Sequence, residues 1–269
     1  MSECTHNCSG CSKDCGTRKP VAPLEGTEIK HIIGILSGKG GVGKSMVSSL
    51  LAVELAKKGY SVGILDADIT GPSIPNIFNI HGQLLGDGKG IFPAETPLGI
   101  HVVSINNMVE SEDMPVIWKG PILGNVIKQF YTEVYWGSLD YLLIDMPPGT
   151  SDVAIAVLQE IPVDSFVMVT TPSKLVSMVV GKAINMTKNV GKPILGLVEN
   201  MAYVKCDECG HEINIYAHDE TEDTAKKYGI ELLAKLPIDP VLANLTDEGK
   251  IEEYEEKYLS KVVETLEKE

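Results

Sequence analysis

From Lys30 onward, short apolar runs alternate with longer amphipathic stretches. His31–Leu36, Ser61–Leu65, His101–Ile105, Tyr141–Ile144, Ser165–Val169, Ile194–Val198 and Leu232–Leu236 each read as a buried strand. Between them lie helical patterns. Lys44–Lys58 carries Val47, Leu50, Leu51, Val53 and Leu55 on its apolar positions and meets a stop at Gly59. Helix-like stretches follow around Ile122–Tyr135 and Leu175–Asn189. The tail, Ile251–Glu269, places Ile251, Tyr254, Tyr258, Leu259, Val262, Val263 and Leu266 at helical spacing and predicts one amphipathic helix packed on the body. Strands that are apolar on both faces and alternate with helices predict an α/β fold, a three-layer parallel sheet with helices on both sides.

Residues 1–27 break this pattern. They are polar and cysteine-rich and end in the linker Lys19-Pro20-Val21-Ala22-Pro23. Such a segment cannot build a core alone, so a bound metal or cluster would have to order it. The expected organisation is an N-terminal extension over 1–27, then a single domain over 28–269 with a cysteine-bearing insertion near 203–216.

Gly38-Lys39-Gly40-Gly41-Val42-Gly43-Lys44-Ser45 fits G-x-x-x-x-G-K-[ST], with a predicted strand before it and a helix after it. Glycines let backbone N–H groups converge on phosphate oxygens, and the following helix points its positive end at the anion. Lys44 is expected to reach the β- and γ-phosphates of a nucleoside triphosphate, and the Ser45 hydroxyl to ligate Mg²⁺. Asp66 and Asp68 follow the second strand; Asp145 ends a later one, before Met146-Pro147-Pro148-Gly149. Carboxylates there face the ligand crevice of a parallel sheet. One is expected to help hold Mg²⁺ and another to orient the attacking water, although strand-end aspartates also cap helices.

Net charge is −14. An acidic chain repels phosphate backbones, which argues against broad nucleic-acid binding. No apolar run is long enough to span a bilayer and the N-terminus has no signal pattern, so a cytoplasmic protein without a membrane partner is expected. Four of the six cysteines, Cys4, Cys8, Cys11 and Cys15, fall in the first 15 residues; the others form Cys206-x-x-Cys209. In a cytosolic chain, metal or cluster ligation is the better default than disulfides. The compact N-terminal set suits one [4Fe–4S] cluster, with zinc as the alternative. A single C-x-x-C supplies two thiolates where zinc or a cubane usually takes four. A two-fold dimer would supply the rest, while a zinc knuckle with His211 and a redox dithiol stay open.

With a second lysine, Lys39, near its start, this loop resembles the deviant Walker A motif of the group containing the nitrogenase iron protein, MinD and ParA. Trp118-Lys119-Gly120-Pro121, Asp140-Tyr141, Asp145–Asp152, Glu199-Asn200-Met201 and Cys206-x-x-Cys209 narrow the likeness. Together they resemble the Mrp/ApbC family of iron–sulfur cluster carrier ATPases over about residues 28–245, with an N-terminus similar to that of its Nbp35-like branch. The resemblance implies a homodimer that binds ATP, Mg²⁺ and a [4Fe–4S] cluster and serves apo iron–sulfur clients. It implies that Lys39 reaches the partner's phosphates, that Asp68 lies near the attacking water, and that Asp66 and Asp145 belong to the Mg²⁺ shell. It also implies that the nucleotide touches Gly38–Met46, with Asn200 hydrogen-bonded to adenine and Pro237 and Asp239 beside the base. Cys206 and Cys209 would share a cluster between subunits. The rivals are a positioning ATPase like MinD or ParA and an ATP-driven electron donor like the nitrogenase iron protein.

Overall fold

The computed structural model describes residues 21–68, 71–107, 120–149, 151–173, 176–206, 208–216 and 219–269. Its centre is a sheet of eight strands: β1 (Glu28–Ser37), β2 (Val62–Asp66), β3 (Ala94–Glu95), β4 (His101–Ser104), β5 (Ser138–Asp145), β6 (Ser165–Thr170), β7 (Ile194–Glu199) and, after a small hairpin, β10 (Glu231–Lys235). Their spatial order is β10-β7-β6-β1-β5-β2-β4-β3, parallel except for the antiparallel edge strand β3. The hairpin is β8 (Val204–Lys205) against β9 (Glu212–Ile213), a separate antiparallel pair.

Each apolar run predicted as a strand is one. Alternation along the central strand explains the layers. Ile33 and Ile35 of β1 point into a core with Val47, Leu50 and Leu51 of α1 (Lys44–Lys57) and Val262, Val263 and Leu266 of α8 (Ser260–Leu266). Ile32 and Leu36 point the other way, against Ile127 and Phe130 of α3 (Gly120–Thr132) and Val157 of α4 (Asp152–Glu160). A third cluster joins Met168 and Leu197 to α5 (Val176–Asn189) and α6 (Thr221–Tyr228). Two more helices, α2 (Ile74–Ile77) and α7 (Pro240–Asp247), follow chain segments the periodicity left unassigned.

Gly34, in the middle of β1, faces Phe166 of β6 in register. A Cβ there would meet the Phe166 ring at 2.4 Å, so the glycine is what lets the aromatic ring lie across the central strand.

The tail departs from expectation. Ile251–Glu253 is a single 3-10 turn, 254–259 is not helical, and only Ser260–Leu266 is α-helix. The Lys57 ammonium donates to the Tyr254 carbonyl (2.6 Å), and the Leu259 N–H donates to Glu54 Oε1 (2.9 Å). A continuous helix would need both groups for its own ladder, and α1 takes them instead. The apolar positions named from the periodicity do pack: Ile251, Tyr254, Leu259, Val262, Val263 and Leu266 are all buried.

Candidate nucleotide site and cysteine hairpin

The parallel strands all end on one rim, and the phosphate loop rises from it. Gly43 caps α1 with a left-handed backbone (φ 76°) and no side-chain cap, which leaves the first-turn N–H groups of α1 facing the loop. A Cβ at Gly43 would lie 2.3 Å from Asn200 Nδ2, so this position closes against the end of β7. The cleft above holds about 480 Å³; Gly40–Met46, Asp68, Asn76, Pro148 and Asp247 are among the residues that line it.

Register explains the carboxylates. Asp66 and Asp145 are paired across β2 and β5, which places their side chains next to each other on one face, both fully buried. Lys44 Nζ lies 2.7 Å from Asp145 Oδ2, in contact but not aligned as a hydrogen bond, and 3.9 Å from Asp68 Oδ2. Ser45 Oγ donates to Asp145 Oδ2 (2.6 Å). Asp66 accepts from the N–H groups of Asp68 (3.1 Å) and Ile74 (3.3 Å) and from Ser104 Oγ (3.2 Å). Burial first, then the charge of Asp145, push the Asp66 carboxyl up to about 8. Two buried carboxyl groups therefore face one buried ammonium, and Asp66 can ionise fully only with a further positive charge beside it. That deficit of positive charge, beside the Ser45 hydroxyl, fits a divalent cation carrying phosphate oxygens and waters on its other positions.

Sequence reasoning missed Ser48. Its hydroxyl donates to Asp145 Oδ1 (2.7 Å) and to the Lys44 carbonyl (3.0 Å), so it fixes the carboxylate that Ser45 and Lys44 share. The available signal was spacing: residues 44, 45 and 48 fall on one face of a helix.

The remaining residues are placed as follows. Lys39 is exposed. Asn200 is buried; its Nδ2 donates to the Val42 carbonyl (2.9 Å), and Oδ1 is left buried without a hydrogen-bond donor. Asp239 caps α7, accepting from Val241 and Leu242, and also accepts from the Tyr254 hydroxyl. Cys4, Cys8, Cys11, Cys15 and Trp118 lie outside the described residues.

Cys206 and Cys209 flank the tip of the β8–β9 hairpin. Cys206 N–H donates to the His211 carbonyl (2.9 Å), and Gly210 N–H returns to the Cys206 carbonyl (2.8 Å). Neither cysteine forms a disulfide; Cys206 is half-buried and Cys209 exposed. Among the described residues, no three His, Cys, Asp or Glu side chains converge as a metal site. The stems of the hairpin are anchored to the rim. Ala202 N–H donates to the Leu236 carbonyl (2.8 Å). Next to it, Lys235 Nζ gathers Glu222 (3.1 Å), Glu199 (3.3 Å) and Asp219 (3.4 Å). Glu199 is fully buried and its pKa is raised, by burial first; Lys235 offsets that cost.

Residues 28–269 match the family described as NUBPL iron-transfer P-loop NTPase, itself a ParA-type group. The chain belongs to this iron-transfer P-loop NTPase family. An iron–sulfur cluster carrier protein of Clostridium perfringens is 46% identical over 258 residues, covering 92% of this chain and 90% of the relative. One of Methanocaldococcus jannaschii is 40% identical, with 99% of both chains covered. Among solved structures, a nucleotide-binding protein of Archaeoglobus fulgidus in complex with ADP superposes with a TM-score of 0.77 at 43% identity, covering 86% of this chain and 90% of that one. MinD of Pyrococcus horikoshii shares the fold, with a TM-score of 0.61 at 23% identity and 89% and 95% coverage. The family match adds iron transfer to what the phosphate loop alone indicated, a nucleotide-binding P-loop fold.

Proposed function

We propose that the protein is a homodimeric ATPase that carries a [4Fe–4S] cluster, held by Cys206 and Cys209 of two subunits, to apo iron–sulfur proteins. The carrying observation is a complete phosphate site on the same rim as half a set of cluster thiolates. Relatives across most of the chain's length are named iron–sulfur cluster carriers, which supports the same reading.

On this reading, the loop N–H groups and the α1 terminus hold the phosphates. Lys44 leaves Asp145 for the β- and γ-phosphate oxygens, and Ser45 and the two buried aspartates take the cation side. Mg²⁺ supplies charge neutralisation between the phosphates. Asp68, at the edge of the cleft, orients the attacking water. Asn200, with a free carbonyl oxygen beside the loop, accepts from the adenine amino group, with Pro237 and Asp239 along the base. Lys39 serves the phosphates of the partner subunit. Cys4, Cys8, Cys11 and Cys15 hold a second cluster, with zinc as the alternative for that set. The protein acts in the cytoplasm; a relative in Eremothecium gossypii, 41% identical, is named a cytosolic iron–sulfur cluster assembly factor.

A membrane-positioning role fits less well. Among the described residues no helix is long and apolar enough to cross a membrane. The tail that would have to lie on lipid spends its apolar residues on the core and exposes Glu255 and Glu256.

Anaerobic reconstitution tests the reading. Cys206→Ser with Cys209→Ser is expected to remove the bridged cluster from a chain lacking residues 1–20, reducing iron and sulfide per dimer to background while nucleotide binding persists. Unchanged iron and sulfide would sink the proposal. A second expectation concerns Lys39→Ala. Because Lys39 is exposed and touches none of the buried trio, folding and ATP affinity should stay within about twofold, and hydrolysis should fall about 100-fold. Steady-state ATPase assays beside equilibrium nucleotide binding separate the two quantities.

A further inference from the structure

The apolar run of β1 ends in a hydroxyl. Ile33 and Ile35 face α1, so Ser37, two positions on, stands on the same face. Ile35 pairs with Asp145, and Asp145 with Asp66, which puts Ser37 one step nearer the phosphate loop than the two carboxyl groups. The Ser37 side chain is buried and lines the nucleotide cleft together with Gly40–Met46. The Ser37 carbonyl accepts from the Gly149 N–H (2.8 Å), but Oγ has no hydrogen-bond partner. A buried hydroxyl without a partner opposes folding, and alanine would fill the same place without that cost.

Lys44 presents the complementary group. It lines the same cleft, and its buried Nζ makes no aligned hydrogen bond although it lies 2.7 Å from Asp145 Oδ2. An ammonium has three N–H donors. Turned from Asp145 toward the β- and γ-phosphates, it needs an acceptor on the protein to hold its direction. Asn200 Oδ1, the other unpartnered oxygen named at the loop, serves the base in the reading above; Ser37 Oγ is unassigned. We infer that the Ser37 hydroxyl is the second seat of the Lys44 ammonium. It accepts from Nζ once the lysine has left Asp145, and so fixes the direction in which Lys44 meets the transferring phosphoryl. Ser37 is thus a positioning residue that acts through Lys44. The free chain holds an unpaired hydroxyl and the nucleotide-loaded chain pairs it, so one side chain opposes stability and supports turnover. The inference rests on the nucleotide reading above and adds to it a residue outside the G-x-x-x-x-G-K-[ST] pattern.

Ser37→Ala is compared with the parent chain by thermal melts without ligand and by steady-state hydrolysis of ATP with Mg²⁺. Without ligand the variant should melt at the same temperature or higher, since no hydrogen bond is lost. In hydrolysis, kcat/KM should fall about tenfold, as for loss of a hydrogen bond to a charged group, and the fall should lie in kcat rather than in KM. A clearly lower melting temperature of the ligand-free variant would make Ser37 a packing residue and overturn the inference. Parental kcat would overturn it too. So would a raised KM at unchanged kcat, since the hydroxyl would then hold the nucleotide without acting on Lys44. If the parent hydrolyses no ATP, the function reading fails, and melts with Mg²⁺ and ADP decide the seat alone. The ligand should then raise the melting temperature of Ser37→Ala less than that of the parent, and an equal rise overturns the seat.

Discussion

Lys44→Met is expected to abolish ATP hydrolysis, with a loss of about 10³-fold or more in kcat for an electrostatic group aimed at the transferring phosphoryl. The fold should survive. Among the described residues Lys44 is the single ammonium beside the buried pair Asp66 and Asp145, so its removal leaves two adjacent carboxyl groups without compensation. Asp66 already tends to hold a proton, because burial and Asp145 raise its pKa to about 8. Without Lys44 that tendency increases, and a shared proton takes over part of the lysine's role. The expected pattern is a folded protein by circular dichroism with almost no turnover of ATP. Methionine keeps the length of the side chain, so a cavity is not the cause. Turnover within tenfold of the parent would show that Lys44 does not act on the transferring phosphoryl.

Phe166→Ala should have the largest effect on stability, about 4 kcal/mol, as for other fully buried aromatic truncations. For a chain of this size that corresponds to a fall of roughly 8–16 °C in the unfolding temperature. Phe166 fills space that Gly34 vacates on the neighbouring strand, so alanine leaves only one methyl group on the two strands at that level. The reverse change, Gly34→Val, drives a Cβ into the ring and is destabilising by overpacking. Because the two positions share one volume, Gly34→Val combined with Phe166→Ala should cost clearly less than the sum of the single changes. Thermal melts of the four proteins measure this; strict additivity would mean that the ring and the glycine are not coupled. The strand that ends in the phosphate loop is thus held at its midpoint by a ring from β6.

The strands and the phosphate loop were legible because their signals are dense. Five or six consecutive apolar residues have few alternatives to a buried strand, and the loop's glycines and Lys44-Ser45 sit at fixed offsets. The pairing of Asp66 with Asp145 was not legible. It depends on β2 and β5 being neighbours although α2, β3, β4, a 3-10 turn and α3 separate them in sequence. The break in the tail was hidden for a similar reason, since Lys57 and Glu54, some 200 residues earlier, take its backbone groups. Helices α2, α6 and α7 are short with few apolar residues, and α4 is a run of consecutive apolar residues, so none of them registers as a helical period. The bridge from Val204 of the cysteine hairpin to Ile238 was out of reach as well, because it ties the two-residue strand β8 to a position beyond β10.

The anchoring of that hairpin has a consequence for how such a protein can change over time. Its chain leaves the rim at Ala202, hydrogen-bonded to Leu236, and returns at Asp219, ion-paired to Lys235. Entry and exit are therefore held by adjacent residues of one strand end. The cysteine-bearing stretch is a module plugged into a closed circuit: lengthening it, shortening it or exchanging its tip need not disturb a single strand of the main sheet. An ancestral nucleotide switch could have acquired a cargo grip by one insertion at this point, and a designer could graft a different metal-binding tip at the same place.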